Sequence, residues 1–577
     1  EHDGTRNQPL LVAVDTQTAG RLVLVDPNAL DAAGTTAITA VEPDHAGHLV
    51  VYALSVDGSD TQVLRIHDAE RHVDLGDELA FVKFASIAWA AGNEAFFYTR
   101  YPEPGSVPAG DEQYFCTVWC HTVGTQQRDD RLVFGRPDAP QLVFDLDAVD
   151  EGRRLVITTR HGASDNAELH VLDLATADGS LRWDTPVALV TGLQHGWHVV
   201  GARDGRLLCI TDAGAPRGRI VALDLARSEQ LPVDVVPESD VRLTFATLAS
   251  GRLVVTGLRN AHDHLRSFAV DGSDARDLPL PGMGTVAGLD GDWDRPDVLV
   301  GFTSFTSPLR VCAVDVQAAT CRPLDQLPLA IEPGQYDVEQ VWYPSADGTR
   351  VSMFLVQRRD TVRPAPVLLS GYGGFNISLT PSFDPSDFLW LDAGGVMAVA
   401  NLRGGGEYGE HWHQAGRLER KQNVFDDFIA AASWLQSEGV ADGPVAIEGG
   451  SNGGLLVGAV MTQRPELFGA VVCRVPVADM LRYHRFTVGR FWIPEYGCAD
   501  DPAQFDMLYR YSPLHRVRDE ACYPPTLVMT ADTDDRVAPG MAKKFAARLQ
   551  EAVTVSASGP VLLRVEMHAG HGAGKPM

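Results

Sequence analysis

The feature that most limits what this chain can fold into is a repeat. Short segments of alternating apolar residues recur at Ala37-Ile-Thr-Ala-Val, Ala85-Ser-Ile-Ala-Trp, Gln141-Leu-Val-Phe, Gly196-Trp-His-Val-Val, Val241-Arg-Leu-Thr-Phe and Gly284-Thr-Val-Ala-Gly. Their spacing is roughly 45–55 residues, the range of four-stranded propeller blades. Most units hold a second strand after a turn, as in His48-Leu-Val-Val-Tyr, Arg154-Leu-Val-Ile-Thr and Arg252-Leu-Val-Val-Thr. Several add a third that ends in an acidic turn, as in Glu168-Leu-His-Val-Leu-Asp-Leu and Arg219-Ile-Val-Ala-Leu-Asp-Leu. A partial unit precedes them at Leu10-Leu-Val-Ala-Val and Arg21-Leu-Val-Leu-Val. Such a unit cannot bury its apolar face alone, so neighbouring units must stack. A pair of β-sandwiches is the alternative the same strands allow.

Beyond Glu332-Pro-Gly-Gln-Tyr336 the pattern changes, which divides the chain into residues 1–331 and 332–577. A hairpin about Asp347-Gly348 leads into strands expected at 367–369, 396–400, 445–447, 470–473, 527–530 and 562–565. Helical stretches alternate with them, notably 424–438, and that alternation predicts a parallel, doubly wound sheet.

Within the second part, Val445-Ala-Ile-Glu-Gly-Gly-Ser-Asn-Gly-Gly454 sets one serine between a strand and a helix start. Gly449-x-Ser451-x-Gly453 is the nucleophile-elbow pattern. The turn is tight enough that flanking side chains would clash, and the helix N-terminus behind the serine favours developing negative charge. A serine nucleophile needs a base, and the base an orienting acid. The strand Thr526-Leu-Val-Met-Thr-Ala531 ends in Asp532-Thr-Asp-Asp-Arg-Val537, and Val561-Leu-Leu-Arg-Val-Glu-Met567 ends in His568-Ala-Gly-His571. An acid and a histidine therefore follow the serine in the order this fold uses. Asp532, Asp534 and Asp535 compete for the acid, and His568 competes with His571. The losers would be solvated loop residues or caps.

Five blocks now carry a family resemblance: Gly371-Tyr-Gly-Gly-Phe-Asn-Ile-Ser378, Asn401-Leu-Arg-Gly-Gly-Gly-Glu-Tyr-Gly409, Gly449-Gly-Ser-Asn-Gly-Gly454, Ala531-Asp-Thr-Asp-Asp-Arg-Val537 and Ala569-Gly-His-Gly-Ala-Gly-Lys-Pro576. In order and spacing they resemble the signature blocks of prolyl oligopeptidase. The resemblance implies Ser451 as nucleophile, Asp534 as acid and His571 as base. It implies an oxyanion hole made by the Asn452 backbone N–H and the Tyr372 hydroxyl, a phenol being able to donate to developing charge. It also implies a proline pocket walled by Phe375, Val477, Trp492, Tyr496 and Val537, with Asn452 and Arg536 near the peptide backbone. Such apolar walls offer a cationic side chain no partner, which argues for proline over lysine or arginine. The first domain would then be a seven-bladed propeller, its first blade incomplete, whose tunnel admits only short peptides. Arg160, in Thr-Thr-Arg-His-Gly, is the propeller arginine expected to reach substrate. Against full-length relatives, a stretch of roughly 70–80 residues before Glu1 and a closing helix after Met577 are expected to be missing.

Composition agrees with a two-domain enzyme. A chain of 577 residues with 45% hydrophobic residues can bury two cores. The formal net charge of −28 argues against nucleic acid as partner, and no apolar run is long enough to span a membrane. The eight cysteines lack metal-ligand spacing and read as reduced, mostly buried thiols, with Cys116/Cys120 and Cys312/Cys321 close enough to pair in an oxidising compartment. No Walker, His-Glu-x-x-His or dinucleotide motif occurs, so no cofactor and no metal are expected. The expectation is a monomeric, cytoplasmic serine endopeptidase that cuts short peptides after proline; a periplasmic or secreted location is the alternative. The alternative activities are a dipeptidyl or acylaminoacyl peptidase of the same architecture, a carboxylesterase, or an inactive fragment.

Overall fold

The computed structural model describes all residues except 2–4, 16, 17, 19, 179, 227–230, 325–330, 520, 554–558 and 572–577. The alternating segments fold into successive antiparallel sheets. Thr36–Pro43, Leu49–Val56, Thr61–Asp68 and Val73–Lys83 form the first four-stranded sheet, with neighbouring strands consecutive in the chain. Four further sheets repeat that order with four strands each, and the one opening at Leu142–Val149 has five. From the sheet opening at Ile87–Trp89 onward, the first strands of successive sheets adjoin one another, so these sheets stand side by side as blades with their first strands innermost. Apolar clusters fill the spaces between blades: Trp89, Phe96 and Tyr98 meet Val51 and Ile66, while Val156 and Leu169 meet Trp197 and Leu207.

Six blades are shown, and a seventh is not. Six sheets have four or more strands, but Leu11–Val14 and Arg21–Val25 pair only with each other among the described residues. Two described strands precede Thr36, too few for a four-stranded meander.

The remainder forms one eight-stranded sheet. Tyr336–Pro344 and Arg350–Arg358 make the antiparallel hairpin about Asp347-Gly348, and the second joins Val396–Ala400 antiparallel. Five parallel pairings then connect Val396–Ala400, Val367–Gly371, Val445–Gly450, Phe468–Arg474, Thr526–Ala531 and Val561–Glu566. Counted along the chain, the strands lie in the order first, second, fourth, third, fifth, sixth, seventh, eighth. The inner parallel strands are apolar because helices cover their faces, whereas Leu562 and Leu563 of the last strand are exposed. Gln422–Ser437 contributes Val424, Phe425, Phe428, Ala432 and Leu435, and Asn452–Gln463 is buried along nearly its whole length.

One class of loop recurs all along the seam between the two parts, and Thr285 Oγ1, at the start of a first strand, adds a hydrogen bond to Pro381 O at 2.7 Å. In every four-stranded or larger blade the connection between the second and third strands touches the α/β domain. Around the ring, Arg536 Nη2 donates to Asp60 at 2.6 Å, Arg490 to Asp111 at 3.0 Å and Asn376 Nδ2 to Asp165 at 2.7 Å. Glu410 N donates to Pro216 O at 2.7 Å, Gln340 Nε2 to Asn260 O at 2.7 Å, and Phe305 packs edge-on against Phe354 with centroids 5.4 Å apart.

Cys116 and Cys120 are buried free thiols, pushed up to about 12 and about 11 by burial. No helix among the described residues is long and apolar enough to cross a membrane.

Candidate active site

Ser451 lies where Val445–Gly450 turns sharply into the helix Asn452–Gln463, with φ 58° and ψ −116°. A left-handed serine costs on the order of 1–3 kcal/mol and persists only where its surroundings enforce it. They do so here: Ser451 N donates to Arg474 O at 3.0 Å, and a Cβ on Gly449 would sit 2.3 Å from Gly453 O. The hydroxyl is thereby lifted above the carboxyl ends of the strands.

The loop after Thr526–Ala531 gives its three aspartates different partners. Asp534 is 3% exposed; its Oδ1 accepts the N–H groups of Arg536 at 3.0 Å and Val537 at 2.8 Å, and its Oδ2 faces His571 Nδ1 at 2.8 Å. Asp532 accepts from Ala569 N at 3.3 Å; burial pushes its carboxyl up, but the N–H groups of Ala569 and His568 hold it below the ordinary value. Asp535 turns to the propeller, accepting from Ser59 Oγ at 2.8 Å and Asp60 N at 3.0 Å. His568 is exposed, whereas the His571 side chain is 9% exposed. With Nδ1 committed to Asp534, Nε2 is the nitrogen left to work as base. No Ser451–His571 hydrogen bond is formed among the described residues; residues 572–576 of the last signature block lie outside them.

The Tyr372 hydroxyl faces Ser451. Burial pushes this phenol above its ordinary value, and the serine contact pulls it back, so at neutral pH it is a neutral donor. Asn452, next along the helix, uses its side chain inward: Nδ2 donates to Tyr372 O at 2.6 Å and Oδ1 accepts from Tyr496 Oη at 2.8 Å. Its backbone N–H stands at the helix start, beside Ser451, where intrahelical partners are lacking.

A cavity of about 340 Å3 opens between the domains. Trp492, Arg536 and Arg160 line it together, with Phe84, Phe144 and Phe491. Trp492 stacks on Tyr483 with centroids 6.2 Å apart. The other expected wall residues stand behind this surface: Tyr496 is 0% exposed, Val477 2% and Val537 2%, while Phe375 meets Tyr496 edge-on at 5.3 Å. Both arginines are ion-paired, Arg160 to Asp145 at 2.6 Å and Arg536 to Asp60 at 2.6 Å. Phe84, Phe144 and Phe491 escaped the sequence reading because they look like ordinary core aromatics; the adjacency of Phe491 to Trp492 was the only signal.

The chain matches two family models, "Prolyl oligopeptidase, N-terminal beta-propeller domain" over residues 1–326 and "Prolyl oligopeptidase family" over residues 381–577. It is 36% identical to a prolyl endopeptidase of Elizabethkingia meningoseptica over 583 residues, covering 100% of this chain and 81% of that protein. Among solved structures it resembles a chain from a mechanistic study of two prolyl endopeptidases, with a TM-score of 0.92, 38% identity and coverage of 99% of this chain and 84% of that one. It also resembles prolyl oligopeptidase B of Galerina marginata bound to a 25mer macrocyclization substrate, at a TM-score of 0.92, 30% identity and coverage of 99% and 83%.

Proposed function

This chain belongs to the prolyl oligopeptidase family, and from that premise we propose that it hydrolyses short peptides on the carboxyl side of proline through an acyl-enzyme on Ser451. One observation carries the reading. The strained Ser451 and the Asp534–His571 pair all follow the carboxyl ends of strands in one parallel sheet, and Trp492 and Arg536 of the same domain line an aromatic-walled cavity. Ser451 Oγ attacks the scissile carbonyl while its proton passes to His571 Nε2, which later delivers it to the leaving amine. Asp534, anchored by two backbone N–H groups, holds the imidazole in the tautomer that leaves Nε2 free. As Oγ becomes committed to the carbonyl, the Tyr372 hydroxyl joins the Asn452 N–H on the oxyanion. A water then repeats the sequence on the ester.

The proline ring is set against Trp492, a flat wall with few rotamers to freeze. Arg536 and Arg160 reach the peptide backbone from opposite sides of the cavity, and the propeller restricts entry to short chains. The two-stranded sheet stands in the place of a seventh blade. The experiment is labelling with a fluorophosphonate probe, followed by hydrolysis of blocked peptides that differ only in proline or lysine before the scissile bond. Labelling lost in Ser451→Ala, with cleavage after proline alone, is expected. Labelling that survives Ser451→Ala, or preference for lysine, overturns the reading.

A further inference from the structure

Behind the Tyr372 loop lies a row of buried charges that the acyl-transfer chemistry leaves unused. The Lys421 side chain is 1% exposed and that of Glu495 5%. Lys421 Nζ donates to Gly373 O at 2.8 Å and to Glu495 Oε1 at 3.2 Å. Burial pushes the Glu495 carboxyl up, but Lys421, His413 and the nearby Phe375 N–H hold it below its ordinary value. Glu495 Oε2 meets His413 Nε2 at 2.9 Å, and His413 Nδ1 meets Glu410 Oε2 at 3.1 Å. Burial pushes His413 down, but the two carboxylates outweigh it and hold the imidazole at about 9.

Stability alone is a poor reason for these charges. Desolvating an ion pair costs about what its attraction returns, and apolar substitutes are often neutral or better. The loop they grip supplies a better one. Gly373, Phe375 and Asn376 have φ of 64°, 58° and 56°, three left-handed residues within four positions. A backbone so far from ordinary wells holds its shape only when it is over-determined. Lys421 takes hold of it at the Gly373 carbonyl, and Glu495, bonded to Lys421, faces it at the Phe375 N–H. Lys421 also lies over the Tyr496 ring at 5.2 Å. Tyr496 Oη bonds Asn452, and Asn452 bonds Tyr372 O. The two groups assigned to the oxyanion hole thus share one frame of hydrogen bonds, which a cation–ring contact joins to the Lys421–Glu495 pair.

We propose that Lys421 and Glu495 are positioning residues for the oxyanion hole, clamping the Gly373–Phe375 backbone so that the Tyr372 hydroxyl is held at its reacting distance. This rests on the reading of Tyr372 as an oxyanion donor. A displacement near 1 Å at such a donor can cost about 10²-fold in rate, so the clamp should show in kcat rather than in KM.

The test is a double-mutant cycle on hydrolysis of a blocked proline peptide, with Tm recorded for every variant. Tyr372→Phe should lower kcat by roughly 10²–10³, and Lys421→Met by roughly 10–10² with KM little changed. Lys421→Met added to Tyr372→Phe should lower kcat no further, since a missing donor cannot be misplaced. Glu495→Gln keeps an acceptor for the Phe375 N–H and removes the charge; it should follow the same pattern, and it carries the test if Lys421→Met does not fold. Losses that multiply with that of Tyr372→Phe, or folded variants with unchanged kcat, overturn the clamp alone. Full kcat in Tyr372→Phe overturns the oxyanion reading and the clamp with it. Failure of both Lys421→Met and Glu495→Gln to fold would assign the charges to stability and likewise overturn the proposal.

Discussion

Replacing Asp534 with asparagine tests the site without changing its shape. Three contacts decide the outcome. Oδ1 of Asp534 accepts two backbone N–H groups, from Arg536 at 3.0 Å and Val537 at 2.8 Å. An asparagine must therefore set its carbonyl oxygen there, and its NH2 is forced toward His571 Nδ1, 2.8 Å away in the parent. Nδ1 must then accept rather than donate, so the ring proton moves to Nε2. An imidazole with Nε2–H cannot take the Ser451 proton. In triads of this kind the wrong tautomer costs about 10⁴ in kcat, or about 5.5 kcal/mol. Asp532→Asn and Asp535→Asn keep an acceptor toward Ala569 N and toward Ser59 and Asp60. Both should retain kcat within about tenfold, because their partners are structural. The assay is steady-state hydrolysis of a blocked proline peptide, with active sites titrated by the fluorophosphonate. Similar losses for all three aspartates, or more than a tenth of parental activity in Asp534→Asn, would refute the reasoning.

Three other outcomes are expected. Trp492→Ala removes the flat wall of the cavity, so discrimination for proline over alanine before the scissile bond should fall by roughly 10–200-fold while probe labelling of Ser451 persists; retained discrimination would move the pocket elsewhere. A short peptide should be cut while the same sequence inside a folded protein survives, and efficient digestion of the folded protein would remove the propeller as a filter. Glu407 is 2% exposed, and burial pushes its carboxyl up to about 7 from the ordinary value of 4.5. The folded state therefore holds a proton that the unfolded chain sheds above about pH 4.5, so stability declines as pH rises from there through 7, by up to about 3 kcal/mol. Glu407→Gln should raise Tm at pH 8 and leave it unchanged at pH 4.5, and an equal shift at both would exclude the titration.

What could be read from the chain is what depends on near neighbours. Alternation along Leu142–Val149 or Val445–Gly450 reports a pleated strand, since successive side chains face opposite ways. The elbow is legible because its glycines and its serine lie within five positions. The choice among Asp532, Asp534 and Asp535 is not local, because three adjacent carboxylates look alike until the loop's turn aims one at His571. The family resemblance named Asp534, and the coordinates pair that residue with His571. The cavity was hidden for a similar reason. Phe84 and Phe491 are some 400 positions apart, and nothing in either segment reports that docking will bring them together. Lys421 stayed unnoticed because a lone lysine before a helix reads as a solvated cap, and its partner Glu495 is far along the chain. The two-stranded first sheet shows the opposite limit: strands were legible there, but the count of strands per sheet depends on pairing.

The six loops by which the blades meet the α/β domain all occupy the same place in their blades, between second and third strands. That arrangement divides the ring into a conservative rim and a permissive one. Insertions, tags or fused binding modules placed at the connections between first and second strands leave every docking contact in place. A chimera that borrows another ring must bring its docking loops as a matched set of six, since a single foreign loop would change the seat of the whole domain.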